Sequence, residues 1–366
     1  MVACRSRADA RLARGAPRGD RGRDLHGVTP DPHGARPDPH GARDELHREG
    51  RADTSGPVPP RTLVVGAGGF LGGAVHRAVE ASGGDVRAAT VPWSDPSAAE
   101  QVLVDAVRGI RDSADGQPWR IVWCAGTGVV ATGEDVFAAE QTLLGRVLDA
   151  TADDAAAGEG TLFFASSAGA VYAGCADAPF DESTPPAPLA PYGRAKLAVE
   201  ARFRQWAEST GARLLVGRIS NLYGPGANLG KAQGLVSQLA LAHLEGRHSS
   251  IYVPMTTTRD YLYIEDAAAM VLDALDAVDG LATGSTVTKI LASGQPATIT
   301  EVVDAVQDAF GEPLDVRDGA DPSATFQGLD LRFRSTVLPQ VDDRAFLPFR
   351  EGVARTVEAL RAAHGA

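Results

Sequence analysis

Two side chains spaced four residues apart could act together on a proton. Tyr192 and Lys196 occur in the stretch APYGRAK, and this spacing places both side chains on one face of a helix. A phenol accepts protons poorly at neutral pH, but a neighbouring ammonium favours its phenolate form. Such a pair can take a proton from an alcohol. A helix with one aromatic residue and one solvated lysine has the same spacing, so the interpretation requires a cofactor site nearby.

A glycine-rich turn predicts that cofactor site. The apolar run RTLVV (61–65) indicates a β-strand, GAGGFLGG (66–73) follows at once, and an apolar helical pattern continues from there. A turn without Cβ atoms between a strand and a helix lets backbone N–H groups approach a pyrophosphate. Gly66, Gly69 and Gly72 are spaced G-x-x-G-x-x-G, whereas the commoner fingerprint is G-x-G-x-x-G. The flanking strand and helix disfavour the alternative of a loop that only needs positive φ.

The first sixty residues differ in composition from the rest of the 366-residue chain. They contain 11 arginines and 9 acidic residues with almost no aliphatic periodicity, so we expect residues 1–60 to be disordered. Histidines recur there every seven residues between positions 26 and 47, within a repeated PDPHGAR unit. Unstructured repeats hold no ligand geometry, so we interpret them as low-complexity sequence and predict no metal site.

Charge, cysteine content and hydropathy disfavour several classes of function. The formal charge is −12 for the chain and −14 for residues 61–366, which disfavours a nucleic-acid-binding surface. The three cysteines have no spacing typical of a metal site or a disulfide, which fits a reducing compartment. No apolar run reaches 18 residues, and the Arg-rich start lacks an apolar signal core. The sequence therefore predicts a cytoplasmic protein that binds neither nucleic acid nor membranes.

Strand and helix signals alternate beyond the glycine turn. Strands are predicted at 86–90, 121–124, 162–166 and 213–218, and helices at 98–110, 136–150 and 192–209. This alternation predicts an α/β fold, a doubly wound parallel sheet of the Rossmann type, with ligands at the carboxyl ends of the strands. Pro191 suits the first turn of a helix and places Tyr192 near that edge.

Three regions follow from this organisation. Residues 1–60 form the disordered tail, and residues 61–220 form a cofactor-binding domain with the catalytic residues. Residues 221–366 have a mixed pattern with long loops, and we expect a smaller substrate-binding region there, with some segments returning to the sheet.

Five motifs occur in an informative order along the chain. They are GAGGFLG (66–72), SSAGAVYAG (166–174), YGRAK (192–196), RISNLYGPG (218–226) and RDYLYIEDAA (259–268). From about residue 61 to the C-terminus, the chain resembles the extended short-chain dehydrogenase/reductases, and more narrowly the NAD-dependent epimerase/dehydratase family. The resemblance implies an NAD(P)-dependent epimerase or ketoreductase that acts on a nucleotide-activated sugar.

The resemblance also implies roles for individual residues. Tyr192 and Lys196 would form the catalytic pair, and Lys196 would also hold the nicotinamide ribose. Asn221 and Arg259 would face the substrate nucleotide, with the guanidinium of Arg259 pairing with its diphosphate. The residues expected along the cofactor, besides the catalytic pair, are Gly66, Gly69, Phe70, Leu71, Gly72, Thr90, Ala125 and Gly126.

The chain departs from the family pattern at Ala168. Many relatives have Ser or Thr there, and its hydroxyl bonds the reacting oxygen. We expect Ser167 to substitute through a loop shift, with Ser166 beside it as a substrate contact, or Tyr192 to act with less help. The segment AGA (168–170) also lacks the Thr-Asp-Glu triplet of sugar 4,6-dehydratases, so it offers no proton carrier for elimination.

The choice between NAD and NADP stays open at this level. NAD users usually have Asp or Glu at the end of the second strand, and Thr90 occupies that position, with Arg87 either solvated or near a 2′-phosphate. Asp95 either contacts adenine or caps the next helix. Glu140 falls near a position where relatives often have Asn, although an exposed helical glutamate is the favoured interpretation.

Two other functions, and an oligomeric state, are also compatible with the sequence. The unusual turn VPMTTT (253–258) keeps open a reductase or dehydrogenase of a non-sugar carbonyl. The missing hydroxyl at Ala168 keeps open a non-catalytic NAD(P)-binding sensor, although the retained catalytic pair disfavours it. The family often forms homodimers through helices of the cofactor domain, so a homodimer that packs the helix at 192–209 is a further expectation.

Overall fold

A parallel β-sheet with helices on both faces organises the computed structural model, which describes residues 59–126, 133–152, 160–230 and 234–365. In chain order the elements are β1 (Arg61–Val65), α1 (Phe70–Ala81), β2 (Val86–Ala89), α2 (Pro96–Ala114), β3 (Trp119–Trp123), α3 (Glu134–Thr151), β4 (Gly160–Ser167), α4 (Ala168–Val171), α5 (Pro191–Thr210), β5 (Arg213–Ile219), β6 (Asn221–Tyr223), α6 (Leu235–Leu244), β7 (Ser249–Ile251), β8 (Thr258–Tyr263), α7 (Ile264–Asp279), β9 (Thr286–Leu291), β10 (Pro296–Thr298), α8 (Ile299–Phe310), β11 (Val316–Asp318), a 3-10 helix (Pro322–Phe326), β12 (Asp330–Leu331), α9 (Pro339–Asp342) and α10 (Phe349–His364). Except for its last two residues, the predicted disordered tail lies outside the described residues.

The main sheet has six strands in the order β2-β1-β3-β4-β5-β9, and each neighbouring pair is parallel. Helices α2, α3 and α5 share one apolar core with one face of the sheet, and α1 and α7 share a second core with the other face. The predicted α/β fold with a doubly wound parallel sheet is therefore confirmed. The chain crosses from β2 over β1 to β3, which places a ligand crevice at the carboxyl ends of β1 and β3.

The boundaries of the elements follow from local chemistry. Pro96 and Pro191 occupy the first turns of α2 and α5, where a missing backbone N–H costs nothing. The side chain of Asp95 accepts hydrogen bonds from the N–H groups of Ser97 and Ala98, both at 3.1 Å. Asp95 is therefore the N-cap of α2, one of the two interpretations that its sequence context allowed.

The second half of the chain builds a smaller layer and also completes the main sheet. Strand β8 pairs with β6, β10 and β12 in a mixed sheet, and β7 pairs with β11. Helices α6, α8 and α10 share an apolar core with these strands. Strand β9 comes from this half of the chain and pairs with β5 at the edge of the main sheet. None of the described helices is both long and apolar enough to span a lipid bilayer.

Candidate active site

The glycine turn after β1 is packed too closely for side chains at two of its positions. Gly66 has φ of +92°, and its carbonyl oxygen accepts a hydrogen bond from Gly69 N–H at 2.9 Å. A Cβ at Gly72 would overlap that same carbonyl oxygen, and a Cβ at Gly66 would lie 2.7 Å from the backbone nitrogen of Ala125. The turn is therefore closed on itself and packed against the loop after β3, so the geometry requires glycine at positions 66 and 72.

The start of α1 presents backbone donors at this turn. The first amide groups of an α-helix have no partner within the helix, and Gly69, which precedes α1, provides no side chain to cap them. Phe70 and Leu71 are the first two residues of the helix, and the Leu71 side chain is buried in the core. Gly69 N–H is already bonded to the Gly66 carbonyl oxygen, so the N–H groups that begin α1 are the ones that could bind an anion such as a pyrophosphate.

Helix α5 brings the predicted catalytic pair to the carboxyl end of β4. Lys196 Nζ donates a hydrogen bond to the carbonyl oxygen of Ala165 at 2.9 Å. The ammonium lies 4.9 Å from the centroid of the Phe164 ring and 5.7 Å from the centroid of the Tyr192 ring. The Tyr192 ring also packs against Phe137, with 5.9 Å between centroids. The cation is therefore held at a fixed place beside the phenol.

The same ammonium faces the loop after β3. A Cβ at Gly126 would lie 3.8 Å from Lys196 Nζ and 3.3 Å from Glu140 Oε1, so both charged groups adjoin this glycine. Glu140 is half-buried, unlike the exposed glutamate that the sequence favoured. Desolvation raises the pKa of the Cys124 thiol to about 12, although the Lys196 ammonium opposes the rise. This thiol stays protonated at neutral pH and offers no nucleophile.

The two serines at the end of β4 have different surroundings. Ser167 Oγ accepts a hydrogen bond from Ala170 N–H at 3.3 Å and caps α4. Ser166 is buried, and its hydroxyl donates to Glu200 Oε1 at 2.6 Å. Neighbouring residues of a strand point to opposite faces, which explains the difference. The structure does not bring the Ser166 hydroxyl to the catalytic pair, and Ala168 is completely buried.

Arg259 on β8 is a buried cation with neutral partners. Its side chain is 7% exposed and donates to the carbonyl oxygen of Thr258 at 2.9 Å and to Gln327 Oε1 at 3.2 Å. Burial lowers the pKa of the guanidinium, and the charge of Asp330 partly opposes this. Among the described residues no carboxylate forms an ion pair with it. A buried guanidinium with neutral partners can take an anionic ligand at little further desolvation cost.

The remaining predicted site residues lie at strand ends. Asn221 begins β6, and its Oδ1 would lie 3.6 Å from a Cβ at Gly169, so it faces α4. Thr90 follows β2, whose last residue Ala89 is paired with Val65, so Thr90 begins the loop beside the glycine turn. Neither residue was expected to touch the catalytic pair. Thr90 follows the carboxyl end of β2, and Asn221 lies two residues beyond the carboxyl end of β5.

Comparison with known proteins decides the family. The family model described as "NAD dependent epimerase/dehydratase family" matches residues 62–288, more than half of the chain. The chain belongs to this family.

Relatives in the epimerase/dehydratase family cover different shares of the chain. A UDP-glucose 4-epimerase from Azospirillum brasilense is 29% identical over 310 residues, 74% of this chain and 84% of its own length. A protein from Methanocaldococcus jannaschii, assigned as a UDP-glucose 4-epimerase, is 28% identical over 150 residues, 41% of this chain and 47% of its own length, so the chain matches under half of that relative. The solved structure of UDP-glucose 4-epimerase from Thermus thermophilus with NAD superposes with a TM-score of 0.69 at 24% identity, covering 83% of this chain and 99% of that one.

Family membership confirms the resemblance and identifies the chain as an enzyme of the extended short-chain dehydrogenase/reductase type with a nicotinamide dinucleotide cofactor. The glycine turn fits this cofactor, because side chains are excluded at Gly66 and Gly72 where the dinucleotide must approach the backbone. The roles of single residues remain predictions, and the placement of Gly66, Ala125, Gly126 and Lys196 around one crevice supports them.

In this epimerase/dehydratase family member, a buried network holds α5, the helix of the predicted catalytic pair, against the sheet. Glu200, one turn beyond Lys196, has no exposed surface, and Arg218 donates to both of its carboxylate oxygens at 3.1 and 2.9 Å. Arg204 donates at 3.1 Å, and Arg218 also donates to the Tyr172 hydroxyl at 2.6 Å. Burial alone would raise the pKa of the Glu200 carboxyl, but Arg218, Ser166 and Arg204 outweigh it and the pKa is lowered. The network fixes α5 on β4 and β5.

We expect Glu200→Gln to lower the free energy of unfolding at pH 7 by about 3 kcal/mol, since Arg218 keeps its charge in a buried site without its counter-ion. A carboxyl with a lowered pKa stabilises the fold above the ordinary glutamate pKa of 4.5 and loses this contribution as the pH falls through its folded value. The difference between the proteins should therefore shrink below pH 4.5 in urea titrations. Glu208→Gln, on the exposed side of α5, is the matched control and should change nothing.

Proposed function

We propose that this family member is an NAD-dependent epimerase of a nucleotide-activated sugar, with Tyr192 as the proton carrier. One observation carries the proposal. Lys196, beside Tyr192, faces Gly126, and the neighbouring Ala125 packs against Gly66 of the glycine turn. The proton carrier and the glycine turn that would hold the cofactor thus share one crevice. NAD is proposed over NADP because the solved Thermus thermophilus epimerase is a complex with NAD.

The proton moves between Tyr192 and the sugar. The Tyr192 oxygen accepts the proton of a sugar hydroxyl, and the Lys196 ammonium lies 5.7 Å from the centroid of the Tyr192 ring. A bound nicotinamide supplies the hydride acceptor and donor for the carbon that carries this hydroxyl. After the keto-sugar has turned its other face, Tyr192 returns the proton to the oxygen, so the net reaction inverts one centre without net oxidation.

The segment at α4 disfavours dehydration. Elimination of water needs a second acid and base, and the four residues of this helix, Ala168–Val171, include no titratable side chain. Ala168 is fully buried in an apolar cluster that includes Tyr172 and Phe180, so a charged proton carrier at this position would lose its hydration. Ser167 keeps its hydroxyl at the end of β4 and is the nearest replacement for the hydroxyl absent at 168.

Arg259 and Asn221 are proposed to bind the nucleotide part of the substrate. The buried guanidinium of Arg259 has neutral hydrogen-bond partners, and a diphosphate would supply a negative charge to pair with it. Strand β6 pairs with β8, which sets Asn221 beside Tyr261 and keeps both predicted substrate contacts on adjacent strands.

The reaction can be tested with two substrates. Purified protein is incubated with NAD and UDP-glucose or dTDP-glucose, and the sugar is followed by proton NMR. The proposal predicts interconversion of two epimers without accumulation of NADH. Consumption of NADPH in proportion to product would instead indicate a reductase, loss of water a dehydratase, and cofactor binding without conversion of either sugar a sensor.

Replacement of Arg259 should act on the substrate alone. We expect Arg259→Gln to raise KM for the sugar nucleotide by about 10-fold to 150-fold, because a charged hydrogen bond to a diphosphate contributes about 1.5–3 kcal/mol. Its affinity for NAD, measured by calorimetry, should stay as in the wild type. Arg332→Gln is the matched control, since Arg332 is exposed and bonded to Asp330. An unchanged KM in Arg259→Gln would contradict the assignment.

A further inference from the structure

The order of the strands dictates which way the cofactor extends, given the proposed function. The glycine turn that would hold the pyrophosphate follows β1. The catalytic pair lies at the carboxyl end of β4, two strands away in the order β2-β1-β3-β4. With about 4.8 Å between strands, that is roughly 10 Å along the edge of the sheet. The nicotinamide half covers this distance. The adenosine half must therefore extend in the opposite direction, over the carboxyl end of β2.

An aromatic side chain lies in that direction. Strand β2 ends at Ala89, opposite Val65, and residues 90–95 connect it directly to α2. Trp93, within this loop, is 45% exposed, whereas the other three tryptophans of the chain are at most 6% exposed. A single exposed apolar residue is ordinary on a protein surface. This indole lies in the loop that follows the carboxyl end of β2, and β2 is paired with the strand that leads into the glycine turn.

The backbone around Trp93 is held in place. Trp93 N–H donates to the carbonyl oxygen of Val91 at 3.0 Å, and Asp95 N–H donates to that of Pro92 at 2.9 Å. Val91 packs against the core shared with α2, and Asp95 caps α2. The loop is therefore anchored at both ends, and the residue between them, Trp93, is 45% exposed to solvent. A ligand that stacks on this ring would find it already positioned.

We propose that the Trp93 indole stacks on the adenine ring of the cofactor. Asp95, the one acidic residue of the loop, is the other candidate for a contact with adenine. Its Oδ1 instead accepts hydrogen bonds from two backbone N–H groups of α2. Adenine at this position meets a large π-face, and aromatic stacking on a base is worth about 1–3 kcal/mol by alanine substitution. Trp93 is thus a cofactor-binding residue that the motif-based analysis of the sequence missed.

The exposure of Trp93 makes its own fluorescence the probe. Acrylamide quenching of the full-length protein should report mainly this tryptophan, because the other three are buried. NAD+ and AMP should each reduce the acrylamide-accessible emission, whereas nicotinamide mononucleotide, which lacks adenine, should leave it unchanged. NAD+ that binds by calorimetry without altering this emission would overturn the proposal.

Variants separate stacking from other effects. Trp93→Ala should weaken NAD+ binding between about fivefold and about 150-fold, and Trp93→Phe should retain most of the affinity but lose the emission signal. Tyr252→Ala, an equally exposed aromatic residue at 47% after β7, should bind NAD+ as the wild type does. If Trp93→Ala binds NAD+ as tightly as the wild type, and the wild type turns over its substrate, the stacking proposal is wrong but the proposed function still stands. A wild-type protein that binds no NAD+ contradicts the proposed function as well.

Discussion

Tyr192→Phe should lose turnover while it still binds NAD. The phenylalanine ring can keep the packing against Phe137, 5.9 Å away between centroids, but it has no oxygen to accept or return a proton. General acid–base groups contribute about 10²–10⁴ to a rate, so we expect kcat for epimerisation to fall by that factor. The Lys196 ammonium keeps its hydrogen bond to Ala165, and the calorimetric affinity for NAD should stay within about threefold of wild type.

The matched control for this variant is Tyr252→Phe. Tyr252 is 47% exposed on the second half of the chain, outside the crevice, so removal of its hydroxyl should leave kcat and KM unchanged. Wild-type kcat in Tyr192→Phe would eliminate Tyr192 as the proton carrier. The half-buried Glu140, beside Gly126 and Lys196, would then be the next group to examine.

Gly72→Ala should weaken cofactor binding by disrupting the turn itself. The added methyl would overlap the Gly66 carbonyl oxygen, and rigid backbone can relieve this only by moving the turn. Overpacking of this kind costs about 1–3 kcal/mol. We expect the NAD affinity to fall on the order of 10-fold to 100-fold, measured by calorimetry, together with a lower melting temperature.

Gly68→Ala is the comparison within the same turn. A Cβ at Gly68 would meet no protein atom within 4 Å, so the melting temperature of this variant should match that of the wild type. Any loss of NAD affinity in Gly68→Ala would then measure crowding of the ligand itself. Equal affinity and stability in Gly72→Ala and wild type would show that the turn tolerates a side chain, contrary to the geometry.

Local patterns were sufficient to predict the frame of the molecule. The run 61–65 is β1 to the residue, and α5 starts at Pro191, because a short β-branched run and a proline at a helix start carry their information within a few neighbouring residues. The parallel, doubly wound character of the sheet followed from the alternation of strands and helices, whereas the order of its strands came from the structure. The ends of α2 were predicted too short on both sides, since the Asp95 cap extends the helix to Pro96.

Contacts between distant residues could not be predicted in the same way. Gln327 and Arg259 are 68 positions apart, and only the pairing of β12 with β8 brings them together. The spacing of Glu200, one helical turn after Lys196, could have placed it on the same helix face. Its pairing with Arg218 could not be predicted, because Arg218 lies on β5. The two serines of β4 differ only in which face of the strand they occupy, and a one-residue shift would have exchanged their roles.

The origin of strand β9 has a consequence for how the protein can be made and divided. This edge strand pairs with β5, yet it begins more than 60 residues after the end of β5, so the ribosome synthesises it much later. Its Lys289 is completely buried and bonded to Asp342, so the edge also needs the segment around α9. During synthesis the cofactor sheet therefore stays open on one side until nearly the whole chain has emerged. A fragment cut at residue 220 would expose the edge of β5, and expression of the cofactor-binding half alone should yield aggregating material.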